Sequence, residues 1–210
     1  GASLGFNLRI ADITGVEDSW ADQLRPALLD FARDRGLELV PLPIARQQDM
    51  DVTAIRQVIS DYPRVADNAW SASTPIEGIR LAGKCRLVVT GAYHAAVFAL
   101  SQGIPAICLC RSAYYEAKLK GLARQFGNGC QVLPLCPEKT PHALPVVMRE
   151  LWDAAPHVSA SLQKAARRQI QESKSAYALF RRRVAQDQPR WNPSGQAPWV
   201  DKRNTTAFTN

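Results

Sequence analysis

The sequence predicts an α/β fold: a Rossmann-like, mainly parallel sheet with helices on both faces, followed by a C-terminal helix and an extended tail. Three observations predict it. Short apolar runs of strand length alternate with longer amphipathic segments along most of the chain. The runs Arg86-Leu-Val-Val-Thr90 and Pro105-Ala-Ile-Cys-Leu-Cys110 are compact and apolar, as strands covered on both faces must be. The composition, 46% hydrophobic and 21% charged over 210 residues, is that of an ordinary globular domain able to bury a core.

Leu4 to Ile10 is expected as the first strand. Asp18 to Arg35 follows as a helix, with Trp20, Leu24, Leu28 and Phe31 on one face and Gly36 as its stop. Leu37 to Pro43 is the next strand, and Pro41 and Pro43 place it near a sheet edge. Asp51 can cap a helix carrying Ile55, Val58 and Ile59. A short extended piece around Val65 follows, then a helix opened by Thr74-Pro75, with proline in its preferred first turn. The strand 86–90 leads to a helix from Tyr93 to Gln102 ended by Gly103. The strand 105–110 leads to a helix over 112–126, and Cys130 to Leu135 is the last strand. Two helices, 141–154 and 157–185, close the folded part. The expected organisation is a Rossmann-like domain over 1–156, a basic amphipathic helix over 157–186 and an extended or disordered tail over 187–210.

Composition also excludes. Of the net charge of +7, the segment 161–190 holds +6, eight basic residues against two acidic ones, so the domain itself is nearly neutral and no nucleic-acid-binding core is expected. The longest apolar stretch, His94 to Cys110, is interrupted by Ser101, Gln102, Gly103 and Pro105, too broken for a transmembrane helix. No secretory signal pattern is visible, and the expected location is cytoplasmic. Five cysteines without a C-x-x-C pair read as reduced core thiols; no metal site and no cofactor is expected. G-x-G-x-x-G, the P-loop, G-x-S-x-G and H-E-x-x-H are all absent.

In open parallel sheets ligands sit beyond the carboxyl ends of the strands. Val89-Thr-Gly-Ala-Tyr-His94 falls there: a strand ends, Gly91 permits a tight turn, and a helix of small residues begins with His94 in its first turn. Free amides and the positive helix end favour an anion, and an imidazole beside them can donate a hydrogen bond or transfer a proton. Thr90, Gly91 and Tyr93 are therefore candidate binding residues and His94 the candidate catalytic one; a histidine packed in the core at an ordinary junction is the alternative. Arg111, just past the strand ending at Cys110, is placed to meet a phosphate or carboxylate, and Lys118 one helix further could reach the same cleft or lie on a solvated face. Arg9, inside an apolar strand, must meet an anion, or pair with Asp12 or a neighbouring helix. The last helix places Leu162, Ala166, Ile170, Tyr177, Phe180 and Val184 on one stripe, expected to pack on the sheet or on a neighbour rather than on a membrane surface.

The stretch from Thr74 to Ile107 resembles the core of the polysaccharide pyruvyl transferase family, whose pattern runs from a strand into "Arg-x-His-Ala", a short helix and "Gly-x-Pro". The matching pieces are Arg86-Leu-Val-Val-Thr-Gly91, Ala92-Tyr-His-Ala95 and Gly103-Ile-Pro105, flanked by Phe6-Asn-Leu-Arg9, the segment Pro43 to Asp49 and Tyr115-Glu-Ala-Lys118. The resemblance extends over roughly residues 4 to 155, about one domain. It implies the donor-binding half of a glycosyltransferase-B-like fold, in which two Rossmann-like domains face each other. It implies transfer of a pyruvyl group from phosphoenolpyruvate to a glycan sugar, as a ketal, in exopolysaccharide biosynthesis. On this chain it makes Arg9 and His94 the basic site residues, with His94 protonating the enol and Lys118 a further basic position.

The sequence departs from the pattern in two ways. Ala92 stands where the family has the arginine two places before its histidine, and the facing N-terminal domain or partner subunit is not in this chain. Two other readings follow from those departures. One is half of a glycosyltransferase using a sugar nucleotide, whose diphosphate rests on helix amides. The other is a non-catalytic domain that binds a glycan or docks to a partner.

Overall fold

The computed structural model describes residues 3–45 and 50–187. Contacts divide the chain into two units, residues 1–170 and 171–210. The first unit holds a five-stranded sheet built from β1 (Ser3–Asn7), β2 (Glu38–Pro41), β3 (Leu87–Thr90), β4 (Ala106–Cys110) and β5 (Cys130–Pro134). All four pairings are parallel, in the order β2-β1-β3-β4-β5. The helices are α1 (Ser19–Asp34), α2 (Met50–Ile59), α3 (Pro75–Ala82), α4 (Tyr93–Leu100), α5 (Ala113–Phe126) and α6 (Thr140–Asp187).

Alternation along the strands sorts the core into two layers. Leu4, Phe6, Leu39, Leu87, Val89, Ile107 and Leu109 face α1, α2 and the start of α6. The intervening positions face the other way: Val40 and Val88 toward α3, and Ala106, Cys108 and Cys110 toward α4 and α5. Both faces are covered, which is why these strands lack polar alternation. Gly5 is glycine for want of room: a Cβ there would lie 2.9 Å from both Cys85 Sγ and Val88 Cγ2.

Several expectations are refined. β2 is an edge strand, as its prolines suggest, and the Val65 segment joins it by a single parallel bridge to Leu39. Asp51 does not cap α2; it lies inside the first turn and accepts from Ile44 N and Ala45 N of the preceding loop. Thr74 does cap α3, in a reciprocal box with Glu77. β1 ends at Asn7, so Arg9 stands beyond the strand rather than within it.

The two helices expected over 141–154 and 157–185 are one, α6, running through Pro145 and Pro156. A proline inside a helix removes one hydrogen bond and crowds the preceding turn. Here Leu144, Met148, Leu151, Trp152, Ala155, Leu162 and Ala166 keep a single buried stripe across Pro156, and that packing outweighs the lost bond. Beyond it Ile170, Tyr177, Phe180 and Val184 are exposed, so the stripe continues past the part that packs. The tail from 188 lies outside the described residues, as do 46–49 of the Pro43–Asp49 segment. No described helix is long and apolar enough to cross a membrane.

Candidate functional site

The sheet order places a reversal between β1 and β3: the chain leaves β1 toward β2 on one side and returns to β3 on the other. Ligand crevices in open α/β sheets form outside the carboxyl ends at such a switch point. The two strand ends there are Asn7 and Thr90, opposite each other in register. Both are polar and both are buried.

A closed set of bonds accounts for them. Asn7 Nδ2 donates to the Leu42 carbonyl and to Asp51 Oδ2, each at 2.9 Å. Thr90 Oγ1 accepts from Ala92 N at 2.8 Å and donates to Asn7 Oδ1 (3.1 Å) or the Ala92 carbonyl (3.2 Å). Asp51 Oδ2 takes two further donors, Ile44 N at 3.0 Å and Ala45 N at 2.8 Å. The other oxygen, Oδ1, is buried without a hydrogen-bond partner among the described residues, and Arg9 Nη1 stands 3.8 Å from it.

These bonds correct two expected roles. The Thr90 hydroxyl is engaged inside the turn, so it does not face a ligand. Gly91 donates its amide to the Asn7 carbonyl at 3.1 Å, so that amide is not free for an anion either. Nor is its glycine needed for a left-handed φ. A Cβ at 91 would lie 3.0 Å from Arg9 N, and the close approach of the two backbones is what demands glycine.

α4 starts directly beyond. Its N-cap, Ala92, offers no side-chain acceptor. His94 is exposed and meets the rings of Tyr93 at 5.8 Å and Phe98 at 6.4 Å. It lines a cavity of about 520 Å³ with Pro43, Ile44, Ala72, Pro75 and Phe98, whose other wall is the capped start of α3. The cavity is largely apolar, and Arg9 is not among its lining residues.

Lys118 is exposed on α5, and its Nζ lies over the Tyr93 ring at 4.5 Å and 5.6 Å from the centre of the Tyr115 ring. Tyr115 Oη accepts from Tyr93 N at 3.4 Å. Burial pushes the Tyr115 phenol above its ordinary range; the Tyr93 amide and the Arg9 charge oppose that shift, and the Asp51 charge adds to it. Arg9, Asp51, Tyr115 and the first residue of α4 therefore share one electrostatic environment.

Arg111 is not part of it. Its guanidinium pairs with Glu17 at 2.8 Å, and its amide and that of Ser112 both donate to the Thr14 carbonyl. The end of β4 is thus tied to the loop before α1. Among the described residues no group of His, Cys, Asp or Glu could hold a metal, and the cysteines are free thiols. Burial raises Cys85 to about 12 and Cys110 to about 11.

Sequence reasoning missed Asn7 as a site element and gave Asp51 only a capping role. A weak signal existed for the first, a polar residue between Phe6 and Leu8 at a strand end. For Asp51 there was none, because its partners are 6 to 44 residues away.

The family model described as polysaccharide pyruvyl transferase matches residues 4–111, a span that contains both sides of the switch point. No curated protein matches the chain. Among solved structures, the chain is similar to the glycotransferase of kitacinnamycin, with a TM-score of 0.50 and 15% identity over 79% of this chain and 39% of that one. It is also similar to the spinosyn rhamnosyltransferase SpnG, with a TM-score of 0.46 and 17% identity over 82% of this chain and 45% of that one. At 15% identity the first likeness concerns the fold alone. The chain spans about two fifths of the length of the solved structures it matches.

Proposed function

The chain belongs to the polysaccharide pyruvyl transferase family, and on that premise we propose that it is the donor-binding half of an enzyme transferring a pyruvyl group from phosphoenolpyruvate to a glycan sugar. One observation carries the proposal beyond family membership: an exposed histidine in the first turn of α4, whose N-cap offers no side-chain acceptor, stands beside the switch point of the sheet, where Arg9 and Lys118 add two cations. Arg9 and Lys118 hold the donor's phosphate and carboxylate, Lys118 supplying the second charge that Ala92 does not. Tyr93 shapes the platform on which Lys118 rests.

The chemistry asks little more. One sugar hydroxyl adds to C2 of the enol phosphate and gives its proton to a donor phosphate oxygen, while C3 takes a proton from the His94 imidazolium. A second hydroxyl then displaces phosphate from C2, closing the ketal and returning a proton to the site. A facing domain, contributed by the remainder of the protein or by a partner subunit, would present the glycan acceptor. Such an enzyme acts where phosphoenolpyruvate is made, in the cytoplasm. Arg111 has no part in this scheme while Glu17 holds it.

The apolar cavity beside His94 favours a second reading. A volume of about 520 Å³ bounded by Phe98, Ile44 and two prolines suits an uncharged ring better than a small trianion. A sugar nucleotide would place its base there and its diphosphate on the α4 amides. An open cavity also weighs against a purely non-catalytic role. Calorimetry decides: phosphoenolpyruvate binding that is weakened by His94→Ala supports pyruvyl transfer. Binding of a UDP- or GDP-sugar, with phosphoenolpyruvate producing no heat, selects the alternative.

A further inference from the structure

We infer that Asp51 is a positioning residue for the anion site: its partnerless Oδ1 holds the Arg9 guanidinium at the switch point, while its Oδ2 locks the turn that launches α4. The inference deepens the donor-binding reading above and rests on it for its purpose.

The geometry divides the carboxylate into two halves with different duties. Oδ2 accepts three hydrogen bonds, from Asn7 Nδ2, Ile44 N and Ala45 N. Through Asn7 it reaches Thr90, whose hydroxyl sets the Thr90–Ala92 turn. That half is structural and complete. Oδ1 has none, although it is shielded from solvent and a buried carboxylate oxygen without a donor is costly. Among the described residues the charged group beside it is Arg9 Nη1, at 3.8 Å, too far for a hydrogen bond and near enough for an ion pair.

Arg9 is in the complementary condition. Its side chain is 30% exposed against 1% for Asp51, and no described residue accepts a hydrogen bond from its guanidinium. Five N–H donors are therefore uncommitted while the charge is held from the inside. A carboxylate bonded to Arg9 face to face would occupy two of those donors; one standing at 3.8 Å fixes the side chain and leaves its fork for an outside anion. The backbone of Arg9 is held too, by the close approach of Gly91. Asp51 thus ties three strand ends, β1 through Asn7 and Arg9, the loop after β2 through Ile44 and Ala45, and β3 through Thr90, into one frame around the Arg9 guanidinium.

Nuclear magnetic resonance on the whole 15N-labelled chain tests this, with inorganic phosphate as the probe and phosphoenolpyruvate as a second one. The Arg9 Nε–H signal is assigned by its loss in Arg9→Lys. In the wild type it should be ordered on the picosecond to nanosecond scale relative to exposed Arg183. Asp51→Asn should release it to the mobility of Arg183 and weaken phosphate about tenfold, the worth of one charge-assisted hydrogen bond. Asp51→Glu, which keeps the charge one methylene away, should recover part of both. A purely structural Asp51 would lower the melting temperature of the variants and leave Arg9 order and phosphate affinity unchanged; that result overturns the inference. So does a wild-type Arg9 as mobile as Arg183, a measurement that needs no Asp51 variant to fold. If Arg9 is ordered, is released in Asp51→Asn and yet responds to neither phosphate nor phosphoenolpyruvate, the anchor stands and the donor-binding reading falls.

Discussion

Two strand ends in this molecule look alike in sequence and differ in what the fold makes of them. β3 ends in Thr90-Gly91 and β4 in Cys110-Arg111; each leads into a helix, and each offers small or polar residues and a candidate cation nearby. At the end of β4 the groups satisfy one another. Arg111 is paired with Glu17, Ser112 caps α5 and donates to the Ile13 carbonyl at 2.7 Å, and Thr14 receives two amides. At the end of β3 Asn7 and Thr90 are satisfied, and among the described residues other groups are left over: a buried carboxylate oxygen without a donor, a part-exposed guanidinium without an acceptor, a helix whose N-cap offers no side-chain acceptor and an exposed imidazole. A joint closes its polar ledger; a site leaves an excess at the surface. The comparison shows that position beyond a strand does not by itself distinguish the two.

The largest effect that would sharpen this contrast is at His94. His94→Ala should lower pyruvyl transfer by about 10²–10⁴-fold, the usual share of a proton-transfer group, with little change in melting temperature because the side chain is exposed. Arg9→Gln comes next: phosphoenolpyruvate affinity measured by calorimetry should fall at least about tenfold, the worth of a charge-assisted contact. It should also destabilise the fold, since Asp51 is left buried without its cation.

Thr74→Ala tests the wall of the cavity. Loss of the capping box should cost about 1 kcal/mol in denaturant unfolding. In the same box the Ser73 and Thr74 amides hold the Glu77 carboxyl down from 4.5 to about 2. A depressed carboxylate contributes stability that is fully present above its unfolded value and is lost as pH falls toward the folded one. The wild type should therefore lose part of its stability between about pH 4.5 and pH 2, and Glu77→Gln should flatten the melting profile in that window.

The smallest effect is expected at the joint. Arg111→Gln breaks an ion pair whose partners are 43% and 72% exposed. It should change stability by less than about 1 kcal/mol and leave phosphoenolpyruvate affinity within about twofold. A tenfold loss of affinity there would erase the distinction between the two strand ends.

Much of the architecture was legible because it depends on local pattern. The strand–helix alternation, the edge position of β2, the Thr74 cap and the core faces of α1 and α2 all follow from residues within a few positions of one another. Where the reading failed, a distant partner was responsible. A break was expected between two helices near Pro156, but the buried stripe from Leu144 to Ala166 carries α6 through it. Thr90 looked like a ligand contact until Asn7, 83 residues away, engaged its hydroxyl. Gly91 looked like a flexible turn residue; the need is for space beside Arg9.

The sequence alone determined the class of fold and the strand ends at which a site is to be sought, because periodicity and strand-end position are properties of short segments. Only the tertiary structure decided which polar groups are closed off and which remain open. That depends on whether a donor on one strand end reaches an acceptor on another, and hydrogen bonds between segments dozens of residues apart leave no periodic trace in the chain. Asp51 is the clearest case: expected only as a helix cap, it meets Asn7, Ile44, Ala45 and Arg9 only when β1, β2 and β3 are laid side by side.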